Sequence, residues 1–133
     1  MSLQPRPRVL AVNSDRGILD LLAKALEEAG YEPITMLLAD LNADGGLLPY
    51  VTRLSPDAIV YDVGPPYIEN WSRLRGVLAT GVIDAPVIVT STDPEALREH
   101  TDGSHIYALI GKPFELETLT QRLREALDQQ GVA

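Results

Sequence analysis

A chain of 133 residues is long enough for one domain with a single sizeable core, and 45% apolar with 23% charged residues is a globular rather than a disordered composition. A net charge of −8 argues against a surface that holds phosphate backbones, and the absence of cysteine excludes disulfides, zinc thiolates and thiol catalysis. No apolar run approaches the ~20 residues that span a bilayer, and the opening Met1-Ser2-Leu3-Gln4-Pro5-Arg6-Pro7-Arg8 lacks a signal-peptide core; the expectation is a cytoplasmic domain with no membrane or direct nucleic-acid contact.

The first element is the apolar run Arg8 to Val12, a short strand that stops at Asn13-Ser14-Asp15. Ile18, Leu21, Leu22, Ala25 and Leu26 then recur at i, i+3, i+4, i+7 and i+8, one face of a helix. Ser14 or Asp15 can cap its start and Gly30 can close its end. Pro33 to Leu38 reads as a second, weaker strand. After the Gly45-Gly46 loop, Leu47, Leu48, Val51 and Leu54 mark a second helix that ends near Pro56.

Ala58-Ile59-Val60-Tyr61 is continuously apolar, as a central strand covered on both faces must be, and it ends at Asp62. A Gly64-Pro65-Pro66 turn leads to a helix around Trp71, Leu74 and Leu78, stopped by Gly81. Pro86 to Val89 is the fourth strand and runs out in Thr90-Ser91-Thr92. Asp93-Pro94-Glu95 predicts a helix start, with Asp93 as cap and Pro94 at the first helical position; that helix is short. Ile106 to Ile110 is the fifth strand, ending at Gly111-Lys112-Pro113, and Leu116, Leu119, Leu123 and Leu127 stripe the last helix, with fraying from Gln129.

Five strands alternating with five helices predict an α/β fold, a doubly wound parallel sheet with helices on both faces. Residues 1–133 read as one domain with a core of about 8–128, either standing alone or separated from an output domain.

In such a sheet ligands bind beyond the carboxyl ends of the strands, where strand order reverses. That rim receives Asn13, Ser14 and Asp15 from strand one, Asp62 from strand three, Thr90, Ser91 and Thr92 from strand four, and Lys112 from strand five. A carboxylate, hydroxyls and an ammonium suit a phosphoryl group. Each residue alone has a plainer reading, as a turn, cap or solvated charge; compatible groups arriving from different strands carry the functional one. Glycine-rich nucleotide fingerprints and a Gly-x-Ser-x-Gly elbow are absent. A phosphatase of the haloacid-dehalogenase type needs a second Asp where Gly64 stands. His100 and His105 fall in the fourth helix–loop region, away from the rim, and read as surface residues.

With Val9 to Val12, Ala58 to Asp62, Pro86 to Thr92 and Lys112-Pro113-Phe114 in this order and spacing, the chain resembles the response-regulator receiver family over about residues 8–128. The resemblance implies a flavodoxin-like sheet of strand order 2-1-3-4-5. It implies that Asp62 is the phosphoacceptor, that Ser91 bonds a phosphoryl oxygen, and that Lys112 pairs first with the aspartate and then with the phosphoryl group. Pro113 matches a proline that follows a cis peptide. Pro66 matches the turn proline, and Gly64 stands where the family offers a carbonyl to Mg²⁺. The implied partners are a histidine kinase or phosphotransfer protein and an output partner, with a homodimer allowed; the domain itself is not an enzyme.

Two departures qualify this. The family carries two acidic residues after strand one, here Asn13 and Ser14, so one carboxylate ligand of Mg²⁺ is missing and binding of that ion is expected to be weak or absent. Asp62, Gly64, Ser14 and Asp15 are the remaining candidate ligands, with Asp15 also suited to capping the helix. The aromatic that receivers place three residues before the lysine is Leu109, with Tyr107 two residues earlier and expected on the same strand face. A phospho-switched receiver is the leading expectation. A phosphorylation-independent interaction or dimerisation module is the alternative, and a small enzyme or ligand binder on the same superfold is a third.

Overall fold

The computed structural model describes residues 6–101, 106–112 and 115–130. Among them are five strands and six helices: β1 (Arg8–Asn13), α1 (Arg16–Glu28), β2 (Glu32–Leu37), α2 (Leu38–Ala43), α3 (Leu47–Leu54), β3 (Ala58–Asp62), α4 (Tyr67–Leu78), β4 (Val87–Ser91), α5 (Pro94–Thr101), β5 (Ala108–Gly111) and α6 (Leu116–Gln129). The expectations on His105, Pro113 and the side chain of His100 fall outside the described residues.

All strand pairs are parallel and the order is β2-β1-β3-β4-β5, with the apolar β1 and β3 in the interior and the weaker β2 at an edge. The chain therefore reverses its direction of winding at β1, and the rim beside Asn13 and Asp62 is the switch point. One helix had not been expected. Leu38-Ala39-Asp40-Leu41-Asn42-Ala43 forms α2 directly after β2, which shortens that strand to Leu37. Its only periodic signal is Leu38 and Leu41, too brief to register as a helix, yet Leu41 is fully buried.

The sheet divides the core in two because successive side chains of a strand leave on opposite faces. Leu19, Leu22 and Leu26 of α1 and Leu119, Leu123 and Leu127 of α6 cover one face, against Val9, Ala11, Val60, Ile88 and Ile110. Helices α2 to α5 cover the other through Leu41, Tyr50, Trp71, Leu74 and Leu97, against Leu10, Val12, Tyr61, Val89 and Leu109. Tyr107 does not share the face of Leu109. It packs with the α1/α6 cluster and lies ahead of β5, which begins at Ala108, so strand alternation does not carry back to it.

Two helix ends bear on the rim. Asp15, with extended backbone, accepts the amide of Ile18 on Oδ1 at 3.2 Å and so caps α1. At the other end Gly30, at φ 97°, donates to Glu27 O while Tyr31 donates to Leu26 O, closing the helix in a Schellman motif. Asp93 caps α5 through a 3.2 Å bond from the amide of Ala96.

Candidate functional site

At the carboxyl edge of β3 the Asp62 carboxylate is nearly enclosed, at 7% exposure. Its Oδ1 receives two donors: the ammonium of Lys112 at 2.8 Å and the hydroxyl of Thr90 at 2.7 Å. Both distances are those of charge-assisted hydrogen bonds. No bond is made to Oδ2 among the described residues. The backbone explains why these three meet. Asp62 is register partner of Thr90, so their side chains project from the same face, and Lys112 follows Ile110 by two residues onto that face as well. A 2.8 Å bond from Lys112 N to Ser91 O extends the β4–β5 pairing to the lysine and fixes its position.

Strand β1 adds Asn13, buried beside this group and accepting the amide of Asp15 on its side-chain oxygen at 3.0 Å. Ser91 goes elsewhere. One residue past Thr90, it is fully buried, and its Oγ accepts the amide of Asp93 at 3.2 Å. The hydroxyl that reaches Asp62 is thus Thr90, which reads from sequence as one of several rim residues; register, invisible in a single strand, selects it.

The candidate metal ligands do not converge as a set. Ser14 and Asp15 are exposed, and Asp15 is committed to capping α1. The carbonyl of Gly64 accepts the side-chain amide of Asn70 at 2.8 Å, a contact from the first turn of α4 that no sequence motif marks. Among the described residues no group of three or more His, Cys, Asp or Glu side chains is placed to share a metal ion. Magnesium keeps most of its waters and is held by one or two carboxylates together with phosphate oxygens, and the Asp62 carboxylate already shares Oδ1 with an ammonium and a hydroxyl. The positive charge at Asp62 is that of Lys112.

A second polar link crosses the rim from Tyr67 of α4 to Thr92, their hydroxyls 2.7 Å apart. Among the described residues no helix is long and apolar enough to cross a membrane.

An open parallel sheet of order 2-1-3-4-5 with an acidic residue at the carboxyl end of its third strand, answered by a lysine after the fifth, is the architecture of a signalling receiver. Comparison with known proteins agrees. Response regulator MprA of Mycobacterium leprae is 34% identical over 123 residues, which are 90% of this chain and 50% of that protein, and the MprA of Mycobacterium avium is 32% identical over the same coverage. The chain spans about half the length of the curated relatives it matches. Among solved structures, the Vibrio cholerae chemotaxis protein CheY4 superposes with a TM-score of 0.72 at 26% identity, covering 92% of this chain and 99% of that one. The receiver domain of Francisella response regulator 1452 has a TM-score of 0.74 at 24% identity, over 93% of this chain and 98% of its own. No family model matches the chain. The chain belongs to the response-regulator receiver family of two-component signalling.

Proposed function

We propose that Asp62 accepts a phosphoryl group from a histidine kinase or phosphotransfer protein, and that the change in charge at the rim alters how the domain engages an output partner. The observation that carries this reading is the asymmetry of the carboxylate: two donors hold Oδ1, and Oδ2 has no partner among the described residues. In the transfer, Oδ2 forms a bond to phosphorus as the phosphorus–nitrogen bond of the donor phosphohistidine breaks. The electron pair stays on the imidazole nitrogen, which takes up a proton. Lys112 then lies within reach of the new phosphoryl oxygens, supplying positive charge where negative charge has grown. Receivers of this family serve signalling rather than turnover of a substrate.

A second reading has its own observation. Asn13 and Ser14 stand at the positions of the family's acidic pair, and the Gly64 carbonyl is bonded to Asn70. This favours a module that binds its partner without phosphorylation, with Lys112 permanently neutralising Asp62. Rapid-quench intact mass after incubation with a small phosphodonor and excess Mg²⁺ separates the two. The expected result is a gain of one phosphoryl group that is lost in Asp62→Asn. No adduct in the wild type, with one appearing in Ser14→Asp, would transfer the conclusion to the phosphorylation-independent module.

A further inference from the structure

We infer that the side-chain amide of Asn13 is a donor to the phosphoryl group carried by Asp62, and that the rim uses it in place of Mg²⁺. The inference rests on the phosphoacceptor reading above and adds a residue and an ion requirement to it. Position comes first. β1 pairs with β3 as Ala11 with Val60 and Val12 with Tyr61, and the next step of that register sets Asn13 beside Asp62. Ala11 and Val60 both pack in the α1/α6 cluster, so Asn13 and Asp62, two residues further on in each strand, leave the sheet on that same face.

Orientation follows from one hydrogen bond. The backbone amide of Asp15 can only donate, so the atom of Asn13 that meets it at 3.0 Å is the side-chain oxygen. The NH₂ group is thereby turned the opposite way. It makes no hydrogen bond among the described residues, although Asn13 is 2% exposed. Among those residues Trp71 Nε1 is the one sealed side-chain nitrogen or oxygen without a partner, so Asn13 Nδ2 is not sealed and reaches solvent at the rim. The two donors on Asp62 Oδ1, Thr90 of β4 and Lys112 after β5, both come from one side of β3, and β1 lies on the other. Oδ2 is left on the side of Asn13.

A phosphoryl group on Oδ2 then has the Lys112 ammonium on one flank and the Asn13 NH₂ group on the other. The acidic pair of the family brings negative charge that a cation must cancel before a phosphoryl group can approach; Asn13 and Ser14 bring none. In the step the Oδ2–phosphorus bond forms as the phosphorus–nitrogen bond of the donor breaks. The electron pair stays on the leaving nitrogen, which takes up a proton. Asn13 donates its hydrogen bond without giving up a proton.

The test follows adduct formation from phosphoramidate by rapid-quench intact mass, in EDTA and in excess Mg²⁺, for the wild type, Asn13→Asp and Asn13→Ala. Asn13→Asp keeps an oxygen for the Asp15 amide, and Asn13→Ala removes the donor without adding charge; urea midpoints check that both fold. The wild type is expected to react at rates within about threefold of each other in the two conditions. Asn13→Asp should fall about tenfold or more in EDTA and regain most of the loss in Mg²⁺, while Asn13→Ala should fall in both. A wild-type rate that collapses in EDTA, a variant that keeps the wild-type rate there, or no recovery of Asn13→Asp in Mg²⁺ overturns the inference and leaves the phosphoacceptor reading standing.

Beryllofluoride, which binds a carboxylate oxygen and offers fluorines where a phosphoryl group offers oxygens, tests the donor without any transfer. With no Mg²⁺ added, bound fluorine NMR signals are expected in the wild type, with affinity about tenfold weaker in Asn13→Ala. Equal affinity in the two overturns the inference. If phosphoramidate leaves no adduct on the wild type but beryllofluoride binds in this Asn13-dependent way, the phosphoacceptor reading falls and the donor role of Asn13 stands. Neither adduct nor bound beryllofluoride overturns both.

Discussion

At the scale of single residues, the chemistry of this rim depends on how many groups share one oxygen. Lys112 is the cation bonded to a carboxylate that is nearly out of water; the two side chains are 22% and 8% exposed. Removing the ammonium leaves Asp62 charged, enclosed and supported by a hydroxyl alone. Lys112→Met is therefore expected to lower stability by about 1–3 kcal/mol, the cost of stranding a buried charge-paired group. Adding Asp62→Asn to it should recover most of that loss, because the charge that needed an answer is gone. Urea midpoints of the two single variants and the double variant check this. A double variant no more stable than Lys112→Met alone would mean that the loss does not come from leaving the Asp62 charge unanswered.

Among the elements, α1 shows how one side chain is claimed by local structure. Asp15 sits one residue beyond the family's acidic pair and could have turned to the rim. Instead its carboxylate meets an orphan amide of the first helical turn. Asp15→Ala should cost about 1 kcal/mol, and Asp15→Asn much less, since an amide oxygen caps nearly as well as a carboxylate. Thermal melts give the ranking. Mg²⁺ titrations of the same variants followed by Trp71 fluorescence are expected to match wild type; a weaker response in both would assign Asp15 to the ion. The strands supply the complementary case. Val87 to Ser91 is buried residue for residue, so burial alone does not say which of Thr90 and Ser91 faces which helix layer, and pairing with β3 decides it.

For the whole molecule, two apolar layers pressed on one sheet leave tyrosines in surroundings that disfavour their anions. Burial pushes the Tyr61 phenol above the usual tyrosine value, with the Arg73 guanidinium pulling partly back, and burial likewise raises Tyr31, with Arg124 pulling partly back. A raised value in the folded state means that the fold keeps a proton which the unfolded chain has released. Stability from this source is complete below the ordinary tyrosine value of about 10 and is lost as pH rises through the folded value. Urea midpoints measured upward from about pH 9 should fall, and the fall should be shallower in Tyr61→Phe. Equal slopes in the two proteins would show that Tyr61 ionises without penalty.

The sequence by itself determined the sequence of strands and most helices, because period 2 and period 3.6 are local properties and the caps at Asp15, Gly30 and Asp93 stand beside what they cap. It also brought Asp62 and Lys112 to the ends of their strands, since each directly follows a buried run. What it left open was everything that depends on a neighbour distant along the chain. Leu38 and Leu41 gain a helix from tertiary burial that two leucines cannot announce. Tyr107 parts from Leu109 because the strand begins between them. Thr90 is chosen over Ser91 by pairing with a strand 28 residues away, and Asn70 comes to the Gly64 carbonyl only once α4 folds back over the turn. Which face a side chain takes is set by register, and register is a relation between strands that no single strand contains.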